Sequence, residues 1–239
     1  MGKAKCVDEV KNLAYSQLYN TKSVDRLYKK LDEYQRWYYE CLQKYRVVFV
    51  DEPAGTGKTT IAVMAGLDYV RDGKKLVYIR FPSRRGERLG ATPGELEDKE
   101  AKYMLPFYEA LNECGLQDEA IQTLKLHGCI DARTDVQERG RNLKDCFVVV
   151  DEAQNAEDLE QLKLILTRPH DNCKVVVIGD SRQTDSKVKR YGKQQLNAFQ
   201  VYQYHMTKKP WAVSCELKIN YRGEISRWAD KVDESLSEI

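Results

Sequence analysis

The chain has 239 residues, of which 42% are hydrophobic and 32% charged, and this composition excludes an intrinsically disordered chain. Lysine and arginine total 39 against 37 acidic residues, so the net charge of +2 excludes a general polycation but permits local basic patches. No apolar run approaches the roughly 18 residues of a membrane span, and we expect a cytoplasmic protein with no membrane partner and no secretory signal. The seven cysteines and three histidines are scattered, which indicates reduced thiols and no zinc or histidine-built metal site.

Residues 1–46 are predicted to be helical, because their apolar side chains recur at helical spacing. A break is predicted over residues 20–23, with Ser23 as the N-cap of a second helix. The tyrosines of this segment are expected to pack as an aromatic layer against the main domain. We therefore divide the chain into a helical extension (1–46), a core (47–190) and a C-terminal part that completes the domain (191–239).

Four short apolar runs predict strands, at residues 47–50, 76–79, 147–150 and 175–178. Continuous rather than alternating apolar runs are typical of parallel strands that are covered on both faces. A helix is predicted over residues 59–67, ended by Asp72 and Gly73. The fold class that follows is α/β, with a mainly parallel sheet covered by helices.

The loop after the first predicted strand has the pattern of a phosphate-binding loop. Its glycines let backbone N–H groups face a phosphate, Lys58 supplies positive charge, and the Thr59 hydroxyl ligates Mg²⁺. The first position, normally glycine, is Glu52, whose carboxylate is unfavourable near a triphosphate unless it points away or meets a cation. The alternative is a loop that binds nothing. The predicted nucleotide-binding residues of this segment are Pro53, Ala54, Gly55, Thr56, Gly57, Lys58, Thr59 and Thr60.

Polar residues follow the third and fourth predicted strands. Asp151 can hold Mg²⁺ through water, and Glu152 can orient or activate the attacking water. The alternative for this carboxylate pair is a role as helix N-caps. Gln183 follows a strand that is expected to lie beside the P-loop strand, and it is the candidate sensor of the γ-phosphate. The alternative there is an ordinary turn at Gly179 and Asp180.

Together with the residues between them, these motifs resemble the PhoH-like (phosphate-starvation-inducible) family of P-loop ATPases, in the RecA-like, helicase-related group. The likeness covers roughly residues 35–190 and is carried by segments 53–59, 86–90, 93–94, 105–111, 139–143, 151–155, 160–168 and 179–185, with Arg80 and Pro82. It implies ATP binding and hydrolysis in a single RecA-like domain, with a homo-oligomeric ring as one form of assembly. Gln35 stands where related enzymes use a glutamine to read adenine, and its alternative is an ordinary surface position.

About 60 residues follow the last predicted strand, too few for a second RecA-like domain. An arginine that stabilises charge during hydrolysis must then come from a neighbouring subunit or from the C-terminal segment folding back. One candidate is Arg222, in an Asn-Tyr-Arg sequence similar to a superfamily 1 helicase motif that contacts the γ-phosphate. The other is Arg168, at a predicted helix end. Their alternatives are a surface arginine for Arg222 and a cation at a helix C-terminus for Arg168.

Three basic stretches with nearby aromatic residues suit single-stranded RNA or DNA. One of them is Lys208-Lys209 beside Trp211. The candidates in the other two are Arg80, Arg84, Arg85, Arg88, Lys187, Lys189 and Arg190. A solvated charged surface is the alternative. The leading hypothesis is a nucleic-acid-stimulated ATPase, of translocase or helicase type, that works as an oligomer. The second is an ATP-dependent switch that acts on a protein partner; a small-molecule kinase would need an acceptor-binding lid, which the sequence does not show.

Overall fold

A computed structural model describes residues 22–83, 96–138, 142–183, 190–191, 195–229, 231–232 and 235. These residues form a six-stranded sheet in the order β3-β2-β4-β5-β1-β6, in which every pairing is parallel. The strands are β1 (Val47–Asp51), β2 (Lys75–Arg80), β3 (Ile130–Thr134), β4 (Cys146–Asp151), β5 (Lys174–Gly179) and β6 (Ala212–Cys215).

Helices cover both faces of this sheet. They are α1 (Lys22–Lys30), α2 (Glu33–Lys44), α3 (Lys58–Arg71), α4 (Leu96–Glu113), α5 (Asp118–Leu126), α6 (Leu159–Leu166), α7 (Ala198–Met206) and α8 (Glu224–Ala229). Apolar side chains from α2 to α5 form one core with alternate strand residues such as Val149. Side chains from α6 and α7 form a second core on the other face, with strand residues such as Val148. The α/β prediction is confirmed, and no helix in the described ranges is both long and apolar enough to cross a bilayer.

The four predicted strands are confirmed as β1, β2, β4 and β5, each one or two residues longer than its apolar run. The edge strands β3 and β6 were not predicted. Strand β3 reads Ile-Asp-Ala-Arg-Thr and is only partly buried, and β6 has four residues with an exposed serine. Edge strands of this kind lack a continuous apolar run, because part of each one faces solvent. Helix α3 ends as predicted, with Asp72 as C-cap and Gly73 at φ 76°.

The predicted second helix is interrupted, and this is a correction. Helix α1 ends at Lys30 and α2 begins at Glu33, with Asp32 as its N-cap. The Asp32 carboxylate accepts the Gln35 N–H at 2.8 Å, and the Gln35 side chain accepts the Asp32 N–H at 3.2 Å. This capping box satisfies backbone N–H donors at the start of α2, whereas the periodicity of apolar residues alone predicts one continuous helix there. Residues 20 and 21 of the expected break lie outside the described residues, and Ser23 lies within α1 rather than at its N-cap, which corrects that prediction.

The aromatic layer is present in the described part of the N-terminal segment. Tyr38 is completely buried, and Tyr34, Tyr39 and Tyr45 pack against the same core, whereas Trp37 is half-exposed. Strand β6, from the predicted C-terminal part, pairs with β1 in the same sheet. Because all strands are parallel, the ends of β1, β2, β4 and β5 share one edge, which we call the carboxyl edge. That edge is where ligands bind in open α/β sheets.

Candidate functional site

The P-loop connects β1 to α3 at the carboxyl edge and depends on two glycines in left-handed conformations. Gly55 has φ 89° and Gly57, the N-cap of α3, has φ 84°. A Cβ on Gly55 would lie 2.5 Å from Arg222 Cγ, and one on Gly57 would lie 2.9 Å from Gln35 Nε2. Side chains from both ends of the chain therefore press on the loop, and only glycine fits beneath them.

Lys58 lies at the start of α3 and folds back on its own loop. Its Nζ donates to the carbonyl oxygens of Glu52 and Pro53, at 2.6 Å each. Burial lowers the pKa of Lys58, and the carboxylates of Asp151 and Asp180 oppose that shift. The ammonium therefore lies in a largely desolvated place, surrounded by acceptors, where a phosphate would be a strong competing partner.

The first turn of α3 borders a cavity of about 710 Å³. Thr59 and Thr60 line it, and the Thr60 hydroxyl donates to Glu113 Oε2 at 2.6 Å. A volume of this size is within the range of about 300–1,000 Å³ that ligand pockets occupy. The walls of the cavity are contributed by Leu27, Lys30, Leu31, Gln35, Ala54, Gly55, Gly57, Lys58, Ile61, Tyr221 and Arg222.

Asp151 and Glu152 stand at the end of β4. Asp151 is buried, with Oδ2 accepting the Tyr78 hydroxyl at 2.5 Å and Oδ1 accepting the Glu152 N–H at 3.0 Å. Glu152 has φ 55° and precedes the 3-10 turn Ala153–Asn155 without any capping bond from its side chain. Burial raises the pKa of Glu152, Asp151 raises it further, and Arg80 opposes the rise. The geometry therefore gives no support to the N-cap alternative for Glu152.

Arg80, which is also a predicted nucleic-acid contact, lies beside the two carboxylates at the end of β4. It ends β2, and its side chain is only 19% exposed. Its guanidinium lies 3.3 Å from Glu152 Oε1 and 3.6 Å from Asp151 Oδ2, and it also donates to the Tyr78 hydroxyl. Arg80 therefore belongs to the carboxylate cluster, where its cation offsets the cost of placing a buried and a partly buried carboxylate at one strand end. Its contact with a nucleic acid stays a prediction.

A second polar chain links β4 to β5. Gln154 is buried, donates to Glu152 Oε2 at 2.6 Å and accepts the Asp180 N–H at 3.1 Å. A Cβ on Gly179 would lie 2.9 Å from this amide oxygen, so glycine is required there. Asp180 is buried, and within the described residues its Oδ2 has no hydrogen-bond partner. Both oxygens of Glu152 are thus held, one by Arg80 and the other by Gln154.

Gln183 ends the 3-10 turn Ser181–Gln183 that follows β5, and β5 lies beside β1 as predicted. Its side chain is exposed and lines a cavity of about 260 Å³ together with Ala54 and Arg222. The structure therefore brings the predicted sensor to the P-loop side of the carboxyl edge. Its role as a sensor stays a prediction.

The segment after β6, residues 216–222, crosses the P-loop and is called the C-terminal strap. Its Tyr221 N–H donates to the Gly55 carbonyl at 2.8 Å, and the Tyr221 hydroxyl donates to Asp32 Oδ2 at 2.6 Å. Arg222 follows and lines both cavities. Of the two sources foreseen for an arginine, the geometry matches the C-terminal segment folding back onto its own P-loop.

Arg168 lies elsewhere. Its carbonyl accepts the Leu143 N–H at 3.2 Å, and its Nε donates to the Leu164 carbonyl at 3.1 Å. Leu143 and Arg168 precede β4 and β5, so both lie at the amino ends of the strands, opposite the P-loop. As a correction, Arg168 does not reach the site of its own chain, because the length of the sheet separates them. Action on a neighbouring subunit stays a prediction.

Gln35 is buried rather than on the surface, which corrects its alternative. Its Nε2 donates to the Thr56 carbonyl at 3.0 Å, while its oxygen completes the α2 capping box. Tyr38, one turn later, donates to the Lys58 carbonyl at 3.3 Å. Helix α2 is thereby fastened to the P-loop at two points. Reading of adenine by Gln35 stays a prediction.

The Glu52 carboxylate is turned toward the C-terminal strap. Its Oε1 accepts the Leu217 N–H of the C-terminal strap at 3.2 Å. Burial raises the pKa of Glu52, and the bond from Leu217 opposes that shift. This arrangement satisfies one of the two conditions under which a carboxylate at this position is compatible with a triphosphate.

Most of the basic residues predicted to contact a nucleic acid lie outside the residues that the structure describes. They are Arg84, Arg85, Arg88, Lys187 and Lys189. Arg190 is exposed and donates to Gln195 Oε1 at 2.9 Å. The third basic stretch, around Lys208, precedes β6 and so lies at the amino edge of the sheet, where Lys208 covers the ring of Tyr204.

Several site residues were not predicted from the sequence: Asp32, Tyr38, Tyr78, Glu113, Gln154 and Tyr221. Gln154 had the clearest signal, since it lies two residues after Glu152 of the carboxylate pair. Tyr78 also carried a signal, because an aromatic hydroxyl inside a strand needs a partner when buried. The others act across long sequence separations, as in the pairing of Tyr221 with Asp32, and no local pattern marks them.

The donor set fits a magnesium nucleotide. The described residues hold no group of three or more His, Cys, Asp or Glu side chains suited to a metal. Mg²⁺ is usually bound through one or two carboxylates, waters and substrate phosphates, so Thr59 and Asp151 are sufficient protein ligands. Asp180, with a buried oxygen that lacks a partner in the described part of the chain, adds acceptor capacity nearby. When bound, Mg²⁺ would neutralise phosphate charge.

Comparison with known proteins agrees with this geometry. The chain is 39% identical over 153 residues to a PhoH-like protein of Synechocystis, which covers 63% of this chain and 46% of that one. It is 37% identical to a PhoH-like protein of Bacillus subtilis, over 63% and 47% of the two chains. It is 29% identical to the protein PhoH of Escherichia coli, over 64% and 44%. The chain therefore spans less than half the length of these curated relatives.

Among solved structures, the chain resembles the Pif1 helicase of Candida albicans at a TM-score of 0.41 and 17% identity, over 85% of this chain and 43% of that one. The family described as PhoH-like protein matches residues 28–211. That range contains β1 to β5, together with the P-loop and the carboxylate pair, and ends just before β6. The chain belongs to the PhoH-like protein family.

Proposed function

We propose that this chain binds and hydrolyses ATP with Mg²⁺, coupled to single-stranded RNA or DNA in an oligomeric assembly. The observation that carries the ATPase part is the meeting of four groups at the carboxyl edge: Lys58, Asp151, Glu152 and Arg222. Lys58 and Arg222 both line the 710 Å³ cavity and supply positive charge there, which suits a transferring phosphoryl group. Asp151 and Thr59 would hold the metal ion, and Glu152 would accept a proton from the attacking water.

The coupling part is supported by Arg80. The segment that contains the basic candidates Arg84 and Arg85 leaves the sheet directly after β2, which ends at Arg80. The Arg80 guanidinium contacts both Asp151 and Glu152. A nucleic-acid phosphate that attracts the Arg80 guanidinium would change the electrostatic potential at the Glu152 carboxylate, the proposed proton acceptor. The proposal thus joins nucleic-acid binding to hydrolysis through one described side chain.

A protein-directed switch is the second candidate, and exposed apolar residues favour it. Ile225 is 89% exposed and Trp228 is 70% exposed. Both belong to α8, the helix that contributes Ser226 to the 260 Å³ cavity. Apolar side chains clustered next to a nucleotide cavity are typical of surfaces that contact another protein. Nucleotide-dependent movement of α8 would then alter a protein contact.

The deciding experiment is steady-state ATP turnover with and without single-stranded RNA, then single-stranded DNA. Lys58→Ala is the blank, and Lys75→Ala is the matched control, because Lys75 is an exposed lysine at the opposite edge of the sheet. Turnover that depends on Lys58 and rises with nucleic acid, more strongly at low salt, supports the proposal. Lys58-dependent turnover indifferent to both nucleic acids favours the switch, and turnover that persists in Lys58→Ala contradicts the ATPase assignment.

A further inference from the structure

Glu52 forms hydrogen bonds to three separate parts of the molecule: the end of β5, the start of α3 and the C-terminal strap. Its N–H donates to the Gly179 carbonyl at the end of β5, at 3.0 Å. Its carbonyl accepts the Lys58 ammonium, and its carboxylate accepts the N–H of Leu217 in the C-terminal strap. A glycine at this position could make the two backbone bonds but not the third. The carboxylate is therefore what adds the strap to the P-loop.

The strap has a second attachment four residues later. The Tyr221 N–H donates to the Gly55 carbonyl, and the Tyr221 hydroxyl donates to Asp32. Arg222 comes next, with Cγ against Gly55 and its N–H bonded to Asn220 Oδ1 at 2.9 Å. The Glu52 bond thus restrains the strap before the Tyr221 attachment, and the two together determine where the Arg222 backbone lies.

The Leu217 side chain is buried, with 2% of its surface exposed, so the strap enters this region as packed chain. A partly buried N–H that loses its acceptor is costly, and a charged acceptor makes the stronger bond. Removal of the carboxylate would therefore release the strap at this end and leave it held at Tyr221. The expected consequence is a wider range of positions for Arg222 above the P-loop.

We propose that Glu52 is a positioning residue, which ties the C-terminal strap to the first position of the P-loop and so holds Arg222 in place over a bound nucleotide. This inference rests on the proposed function, because the task of Arg222 is in ATP hydrolysis. Glu52 itself contacts neither the nucleotide nor the metal ion. The residue that departs from the P-loop pattern thus supplies the acceptor for the Leu217 N–H, a bond that a glycine side chain could not make.

The tether is tested first without nucleotide, by hydrogen exchange of the Leu217, Tyr221 and Arg222 amides. Glu52→Gly should speed exchange at these amides. Glu52→Gln should preserve much of the protection, because its amide oxygen is still an acceptor. Unchanged exchange in Glu52→Gly overturns the tether, and this result does not depend on whether the chain hydrolyses ATP.

The positioning role is tested by ATP turnover in the same variants. Glu52→Gly should lower kcat about tenfold without raising KM, the size expected for one lost bond to a charged acceptor. Glu52→Gln should stay close to the wild type. In an Arg222→Ala background, Glu52→Gly should add little further loss, because both changes disable the same arginine.

Three results would overturn the positioning role in an active enzyme: a rise in KM alone, equal losses in Glu52→Gly and Glu52→Gln, or additive losses with Arg222→Ala. If the wild type shows no Lys58-dependent turnover, the proposed function fails instead. The amide exchange at Leu217, Tyr221 and Arg222 then still decides whether Glu52 fixes the strap.

Discussion

The sheet core and the two chain ends that flank it contribute to the same site by different means. The core places Lys58, Asp151 and Glu152 through local order, a strand followed by a short polar sequence. The flanks place their residues through contacts between distant parts of the chain. Leu217 bonds to Glu52 across 165 residues, and Tyr221 bonds to Asp32 across 189. In the proposed mechanism the core thus supplies the reacting groups, whereas the chain ends supply walls of the cavity and a second positive charge.

This difference has an energetic side. Lys58 and Glu152 are partly buried at the ends of sheet elements, and this burial raises the pKa of Glu152 and lowers that of Lys58. The strap is buried at Leu217, but its last residues are exposed, with Tyr221 56% exposed. Segments with few buried contacts are the ones that move on binding. We therefore expect changes in the core to abolish chemistry and changes in the flanks to alter its rate or its coupling.

The largest effect expected from the flanks comes from Arg222→Ala. Turnover should fall about 10³-fold, the lower end of what such an arginine contributes, while ATP affinity stays close to the wild type. Arg168→Ala, at the opposite edge, should leave the turnover of an isolated subunit unchanged. Single-turnover hydrolysis and nucleotide titration measure the two quantities.

The same variants separate action within a subunit from action between subunits. Because Arg222 lies on its own P-loop, mixing Lys58→Ala and Arg222→Ala proteins should restore no turnover. Restored turnover in the mixture would show that Arg222 serves a neighbour. A loss in Arg168→Ala that appears only in an assembled oligomer would assign that role to Arg168 instead.

In the core, Glu152→Gln should lower turnover by about 10²–10⁴-fold, the range typical of a lost general base. Its Oε1 and Oε2 contacts to Arg80 and Gln154 can survive in part, so the fold and ATP binding should persist. Glu160→Gln, on the exposed face of α6, is the matched control. Turnover near the wild-type level would mean that another group accepts the proton.

We expect Arg80 to set the acid side of the pH profile of ATP turnover. Glu152 must be ionised to accept a proton, and its pKa is raised by burial and by Asp151 but lowered by Arg80. Arg80→Met removes that lowering, so the pKa of Glu152 rises further and the acid limb of kcat/KM moves to higher pH. The loss should be about tenfold near the limb and small well above it.

Arg46→Met is the control for Arg80, because Arg46 forms an exposed ion pair with Asp171 at the opposite edge of the sheet. Its acid limb should match the wild type. An acid limb that stays in place in Arg80→Met would show that Arg80 does not tune Glu152. It would also remove the side chain through which we join nucleic-acid binding to hydrolysis.

The sequence predicts the core far better than the flanks, for physical reasons. Strands β1, β2, β4 and β5 are buried on both faces and leave continuous apolar runs, whereas the edge strands β3 and β6 do not. Lys58 and Asp151 are marked by neighbours in sequence. The partner of the Glu52 carboxylate and the position of Arg222 on the P-loop of its own chain both depend on where the C-terminal strap crosses that loop. Glu52 and Leu217 of the strap are 165 residues apart, and no local sequence pattern encodes that contact. Arg80 was assigned to a basic surface because its two carboxylate partners are not near it in sequence.

The smallest expected effect is that of Tyr221→Phe, which removes the bond between the strap and Asp32. That bond raises the pKa of Tyr221 to about 12, because the Asp32 carboxylate accepts its hydroxyl. The pair is exposed, so solvent replaces most of the lost contact, and the free energy of unfolding should fall by about 0.5 kcal/mol or less. Asp32→Ala should cost more, about 1 kcal/mol, because it also removes the N-cap of α2.

Chemical denaturation of both single variants and the double variant measures the coupling between Tyr221 and Asp32. A coupling energy near zero, together with unchanged ATP affinity, would mean that α2 and the strap close the cavity independently. A measurable coupling that grows when ATP is bound would mean that the nucleotide draws the two chain ends together. The bond between Tyr221 and Asp32 would then show directly whether α2 and the C-terminal strap close the cavity cooperatively.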